Sequence, residues 1–161
     1  MSGASGANTR PSDRELVLTR TFDAPRALVF KAWTDPRHLA RWWSPKGFTN
    51  PVCEVDARPG GAIFILMRAP NGTELPMKGV IHEIIEPERL VMTTSALEDA
   101  DSNPQLEVLN TVTFVERDGK TTLTLRAVVV KAGPDADAAL AGMAEGWSQS
   151  LDKLADLLAS A

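Results

Sequence analysis

The chain has no tyrosine, and Cys53 is the single cysteine among its 161 residues. One cysteine excludes an internal disulfide framework and fits a reducing compartment, so a cytoplasmic location is expected. No apolar run approaches the roughly 18 residues of a membrane span. Residues 1–13, MSGASGANTRPSD, contain no apolar segment of the kind a secretory signal needs and read as a flexible leader. Basic charge is not in excess either. Lys and Arg number 17 against 21 Asp and Glu, for a net charge of −4 and a pI near 5.2. That balance offers no general attraction to nucleic acid or to an anionic membrane, and neither is expected as a partner. Also missing are a G-x-S-x-G elbow, a P-loop, an H-E-x-x-H helix and a C-x-x-C pair. The two histidines, His38 and His82, are far apart in sequence, on a helix and a strand, both expected at the surface. Together with Cys53 they have no metal-ligand spacing, so no metal or cofactor is expected.

What is present is an alternation of short elements. Glu15–Phe22 (ELVLTRTF) reads as a strand. In DAPRALVFKAWTDP, Asp23 is placed to cap a helix, Pro25 falls near its first turn, and Leu28, Val29, Ala32 and Trp33 form its apolar face. Asp35-Pro36 ends that helix and opens a shorter one, which runs to about Trp43 and is closed by Ser44-Pro45-Lys46-Gly47. From Val52 the chain reads as strands. Arg58-Pro59-Gly60-Gly61 is a turn, Asn71-Gly72 and Asp118-Gly119 are tight hairpin signals, and 97–105 reads as a longer loop.

The last element is a long helix. Leu140, Met143, Ala144, Trp147, Leu151, Leu154 and Leu158 recur at steps of three or four and trace one apolar stripe. Gly142 and Gly146 lie beside it, although glycine costs a helix about 1 kcal/mol relative to alanine. Close approach to another backbone is the expected reason. Strand, two helices, six strands and a long helix pack most economically as an antiparallel sheet with its helices on one face. A helix laid across a curved sheet touches it best at its ends, and the middle can be hollow.

Within the strands, Glu54, Asp56 and Arg58 share one face, and the arginine argues for a surface ion pair rather than acid–base chemistry. Cys53 points the other way, as a small core residue. In AIFILMR both faces are apolar, with Ile63, Ile65 and Met67 on one and Phe64 and Leu66 on the other. The second set faces helices or another subunit. Trp42 and Trp43 are adjacent, and helical neighbours differ by about 100° around the axis. They therefore point into different surroundings: one anchors the short helices and the other lines an entrance, unless both simply pack helix against sheet.

Four segments, FDAPRALVFKAWTDPRHLARWWSP, EVDARPGG, EPERLVMT and GWSQSLDKLADLL, together resemble bacterial single-domain proteins of the SRPBCC (START-like) superfamily. The similarity is to the branch called activator of Hsp90 ATPase homologue-like, and it covers about Leu16 to Ala159. It implies an α+β helix-grip fold: a curved antiparallel sheet of six to seven strands around a long C-terminal helix, with two short helices after the first strand. Residues 14–161 would form one such domain. It further implies an elongated apolar cavity, with Trp43 by its mouth, Ile63, Ile65 and Met67 facing inward, and Trp147 on the long helix facing the sheet. Positions 62 and 64 are often polar in such proteins but are Ala62 and Phe64 here, which raises the expectation of a homodimer.

The leading functional expectation is binding of a small hydrophobic molecule, as a carrier or sensor. The candidate lining residues on the sheet side are Trp43, Ile65, Met67, Ile81, Met92, Val112 and Leu125. On the long helix they are Met143, Trp147 and Leu151. Two other classes are a chaperone-interaction module, suggested by the family name, and a cyclase-, aromatase- or hydrolase-like enzyme using the same cavity. No catalytic residue is assigned, because no acid–base pair is bound to point inward; Glu83 or His82 reaching the cavity would favour the enzyme.

Overall fold

The computed structural model describes residues 15–98, 104–132 and 137–159, so the expected leader lies outside the described residues. The first strand, β1, spans Glu15–Phe22, as the alternation predicts. Two helices follow, α1 at Arg26–Thr34 and α2 at Pro36–Trp42. Then come β2 (Thr49–Val55), β3 (Ala62–Arg68), β4 (Glu74–Ile85), β5 (Arg89–Glu98), β6 (Pro104–Arg117) and β7 (Lys120–Ala132). The chain ends in α3, Asp137–Ala159. Strands β5 and β6 extend into the stretch expected as a loop, and the remainder of that stretch, 99–103, lies outside the described residues.

The strands form one antiparallel sheet in the order β1-β7-β6-β5-β4-β3-β2. Six of them make a continuous meander, and β1 closes onto the last. Asp118 and Gly119 turn the β6–β7 hairpin with φ of 55° and 77°, the double left-handed geometry of a tight two-residue connection. At the β2–β3 turn only glycine fits position 61, because a Cβ there would lie 1.8 Å from the Asp56 carbonyl oxygen. Register shifts interrupt β2, the β4–β5 pairing and the β6–β7 pairing. Such bulges add local twist and bend, which is how the sheet acquires its curvature.

The helices cover the concave face. Phe30 meets Phe114 edge-on at 5.2 Å, and Trp33 meets Trp42 at 4.6 Å. Asp35 joins the two short helices, ending α1 and accepting the Arg37 backbone N–H at 2.9 Å to start α2. The Arg37 guanidinium beside it holds its carboxyl down at about 2. The expected cap on α1 is corrected. Pro25 occupies that position without a side-chain bond, and the Arg26 N–H instead donates to the Glu116 carboxylate at 2.8 Å. The chain bends at residues 23 and 24, Pro25 is extended, and a strand far along the chain supplies the acceptor.

Along α3 the apolar stripe is buried unevenly. Leu151, Leu154 and Leu158 are buried, Trp147 and Met143 half-buried, and Ala144 exposed. Leu140, the first member of the stripe, has a side chain outside the described residues. Arg20 on β1 ties the seated half down by pairing with Asp152 at 2.8 Å. The close backbone approach expected at the glycines is also corrected. A Cβ on Gly142 would meet nothing within 4 Å, and one on Gly146 would meet only the Pro45 side chain, at 3.5 Å. The glycines sit beside open space.

Candidate functional site

That open space is a cleft of about 250 Å³, open to solvent on one side. The half of α3 that the core does not grip supplies Gly142, Met143, Gly146, Trp147 and Ser150 to one wall. The loop after α2 supplies Trp43, Ser44 and Pro45. The sheet contributes Met67 and Met77 from β3 and β4, Thr94 and Ala96 from β5, and Leu106, Val108 and Asn110 from β6. The interior is apolar in two pieces: a large cluster around the tryptophans, and a small one of Val108, Ala127 and Val129 with Met143 packed on it. The cleft draws its walls from both.

The sequence-derived candidates divide into three groups. Trp43, Met67, Met143 and Trp147 line the cleft. Ile65, Ile81 and Met92 lie deeper, around a void of about 10 Å³ that Trp43 also touches. Val112, Leu125 and Leu151 have no exposure and lie in the closed core, away from the cleft wall. The hollow therefore sits nearer the start of α3 than expected. Trp33, Trp42, Trp43 and Trp147 fill the volume where the expected cavity would have continued, with Trp33 stacked on Trp147 at 5.9 Å and Trp43 edge-on to Trp147 at 5.2 Å.

The adjacent tryptophans separate as helical geometry requires. Trp42 has no exposure and donates its indole N–H to the Ala32 carbonyl at 2.9 Å, locking α2 onto α1. Trp43 caps α2 and forms part of the cleft wall.

The loop carrying Trp43 is held from α3. Lys153 Nζ donates to the carbonyls of Ser44 at 3.1 Å and Trp43 at 3.3 Å, and reaches those of Pro45 and Phe48 at 3.4 Å. Burial pulls its pKa below the ordinary lysine value. The Lys46 N–H donates to Gln149 Oε1 at 3.1 Å, and Asn50 Nδ2 donates to the Trp43 carbonyl at 2.7 Å. Held in this way, Ser44 takes a left-handed φ of 81°.

Polar cleft residues were the gap in the sequence reading. Asn110 had a signal: β6 turns Val108, Asn110, Val112 and Phe114 inward, so one amide interrupts an apolar row. The groups considered for chemistry lie elsewhere. His82 and Glu83 are exposed, with His82 Nε2 bonded to the Thr93 hydroxyl at 2.6 Å and Glu83 paired with Arg89. His38 is half-buried rather than exposed. Asp56 and Arg58 pair at the surface at 2.7 Å, as their spacing suggested. Cys53 is half-buried, and its burial pushes the thiol up to about 11. Among the described residues, no three His, Cys, Asp or Glu side chains come together as metal ligands would. Among the described residues, too, no helix is long and apolar enough to cross a membrane.

Comparison with known proteins adds the family. A family model described as "Activator of Hsp90 ATPase homolog 1-like protein" matches residues 23–159. Among solved structures, the chain is similar to a protein from Chromobacterium violaceum at 30% identity, covering 90% of this chain and 96% of that one with a TM-score of 0.72. A protein from Mycobacterium smegmatis is 28% identical, covering 92% and 93%, with a TM-score of 0.77. One from Silicibacter pomeroyi is 27% identical, covering 90% and 97%, with a TM-score of 0.74. No curated protein matches.

Proposed function

The chain belongs to the Activator of Hsp90 ATPase homolog 1-like protein family, and from that premise we propose that it binds a small hydrophobic molecule in the cleft beside α3, as a carrier or sensor. One observation carries the reading: the cleft of about 250 Å³ has Trp43, Met67, Met77, Met143 and Trp147 in its wall. Each methylene a ligand buries there would contribute about 0.8 kcal/mol, and methionines adapt to an irregular occupant. The remaining sequence-derived residues, Ile65, Ile81, Met92, Val112, Leu125 and Leu151, act in this proposal as the support behind the wall.

Native mass spectrometry of the protein isolated from its own cells tests for a retained ligand, and calorimetric titration with 2-methylnaphthalene tests the cleft. Leucine at position 146 would extend toward Pro45 and narrow the opening. Gly146→Leu is expected to weaken binding about tenfold or more, through lost apolar contact. Unchanged affinity in this variant, or no binding by the unaltered chain, would remove the proposal.

The same proposal treats residues 14–161 as one domain working in the cytosol. It includes a homodimer formed through the outer face of the sheet, where Phe64 and Leu66 are half-buried beside the exposed Val80. A sedimentation coefficient that stays monomeric at high micromolar concentration would remove the dimer alone. Among the described residues, no arrangement of side chains favours chaperone contact or catalysis over binding.

A further inference from the structure

Asn110 stands in the inward row of β6 and is 1% exposed. Its amide nitrogen donates to the Thr94 hydroxyl at 3.1 Å and lies 3.3 Å and 3.5 Å from the carbonyl oxygens of Val108 and Met92. Those neighbours fix which end of the amide is which, because turning it over would press its oxygen against two carbonyl oxygens. The other atom, Oδ1, is buried without a hydrogen-bond partner. A buried acceptor left in that state is costly, and folded proteins keep few of them. Asn110 lines the cleft. So does Ser44, 4% exposed, whose hydroxyl oxygen is likewise buried and unpartnered. No charged residue is among the described residues that line the same space.

We propose, building on the cleft as a ligand site, that its ligand is neutral and amphipathic: an apolar body carrying a hydroxyl or N–H that donates to Asn110 Oδ1, with the Ser44 hydroxyl as a second polar contact. The apolar wall supplies affinity, and Asn110 selects for the donor. A cationic or anionic ligand would lose its hydration with no counter-charge to replace it. A fully apolar ligand would leave the asparagine oxygen buried and unserved.

The test uses two probes of nearly the same shape, 2-naphthol and 2-methylnaphthalene, titrated into the full chain and into Asn110→Leu. A wholly apolar cleft would favour the methyl compound, because the hydroxyl must otherwise leave water uncompensated. The expected result is that the unaltered chain binds 2-naphthol at least as tightly as 2-methylnaphthalene. Asn110→Leu should then weaken 2-naphthol about tenfold and leave the methyl compound unchanged. If the methyl compound wins by the same margin in both proteins, the donor inference is wrong while the hydrophobic cleft stands. If neither probe binds the unaltered chain, the cleft reading falls and takes this inference with it. Should Asn110→Leu fail to fold, NMR on the unaltered chain decides. The Asn110 side-chain amide signals must move further with 2-naphthol than with 2-methylnaphthalene, whose ring shifts them only by its presence in the same cleft, and the reverse order or equal shifts overturn the proposal.

Discussion

Trp42 and Trp43 show how one peptide bond can separate two roles. Trp42 is sealed, edge-on to Trp33 and bonded to Ala32, so Trp42→Ala is expected to cost about 3–5 kcal/mol in urea denaturation. Trp43 borders the cleft, and its replacement by leucine should weaken 2-methylnaphthalene binding while changing stability less. That the two rings point different ways was legible in the sequence, because adjacency on a helix forces it; that both pack into one aromatic cluster, 5.8 Å apart, was not. The partners were not, since the Ala32 carbonyl is found only once α1 and α2 fold back on each other. Cys53 offers a pH test at the same scale. Burial, with a smaller effect of Glu54, raises its thiol from the ordinary 9.0 to about 11. An acid whose folded value is raised contributes stability below pH 9, and that contribution is lost as pH climbs toward 11. The unaltered chain should therefore lose stability faster than Cys53→Ala across that window, measured by urea midpoints, and parallel curves would refute the assignment.

Among the elements, α3 departs furthest from its sequence pattern. A stripe of regular spacing suggests even burial, yet only the Leu151–Leu158 end is seated and the glycines border open space. Gly142→Ala should consequently raise stability by about 1 kcal/mol, read as a higher urea midpoint, since the added methyl meets nothing. A loss of stability would mean that the glycine serves a contact. Hairpins were the most legible elements, because Asn71-Gly72 and Asp118-Gly119 act locally. The start of α1 was not, because its acceptor, Glu116, lies on β6 and no local pattern announces a partner ninety residues away.

At the scale of the molecule, the helix-grip arrangement followed from the order of elements and the family resemblance, but the position of the hollow did not. It depends on how much volume four tryptophans occupy, which spacing does not encode. Because α3 is gripped at one end, hydrogen exchange should be faster at amides 142–147 than at 151–158, and an occupied cleft should slow the first set. Uniform exchange along the helix would contradict this anchoring. The tryptophan cluster also has an optical consequence. With no tyrosine in the chain and tryptophan ring centres separated by 4.6–6.4 Å, near-ultraviolet excitation is shared among neighbouring indoles. The circular dichroism of these bands should carry a coupled, two-signed signature that changes shape when any one ring is removed and is lost only when the cluster is reduced to a single indole. The protein's intrinsic light is thus generated in one cluster that reaches the cleft wall through Trp43 and Trp147.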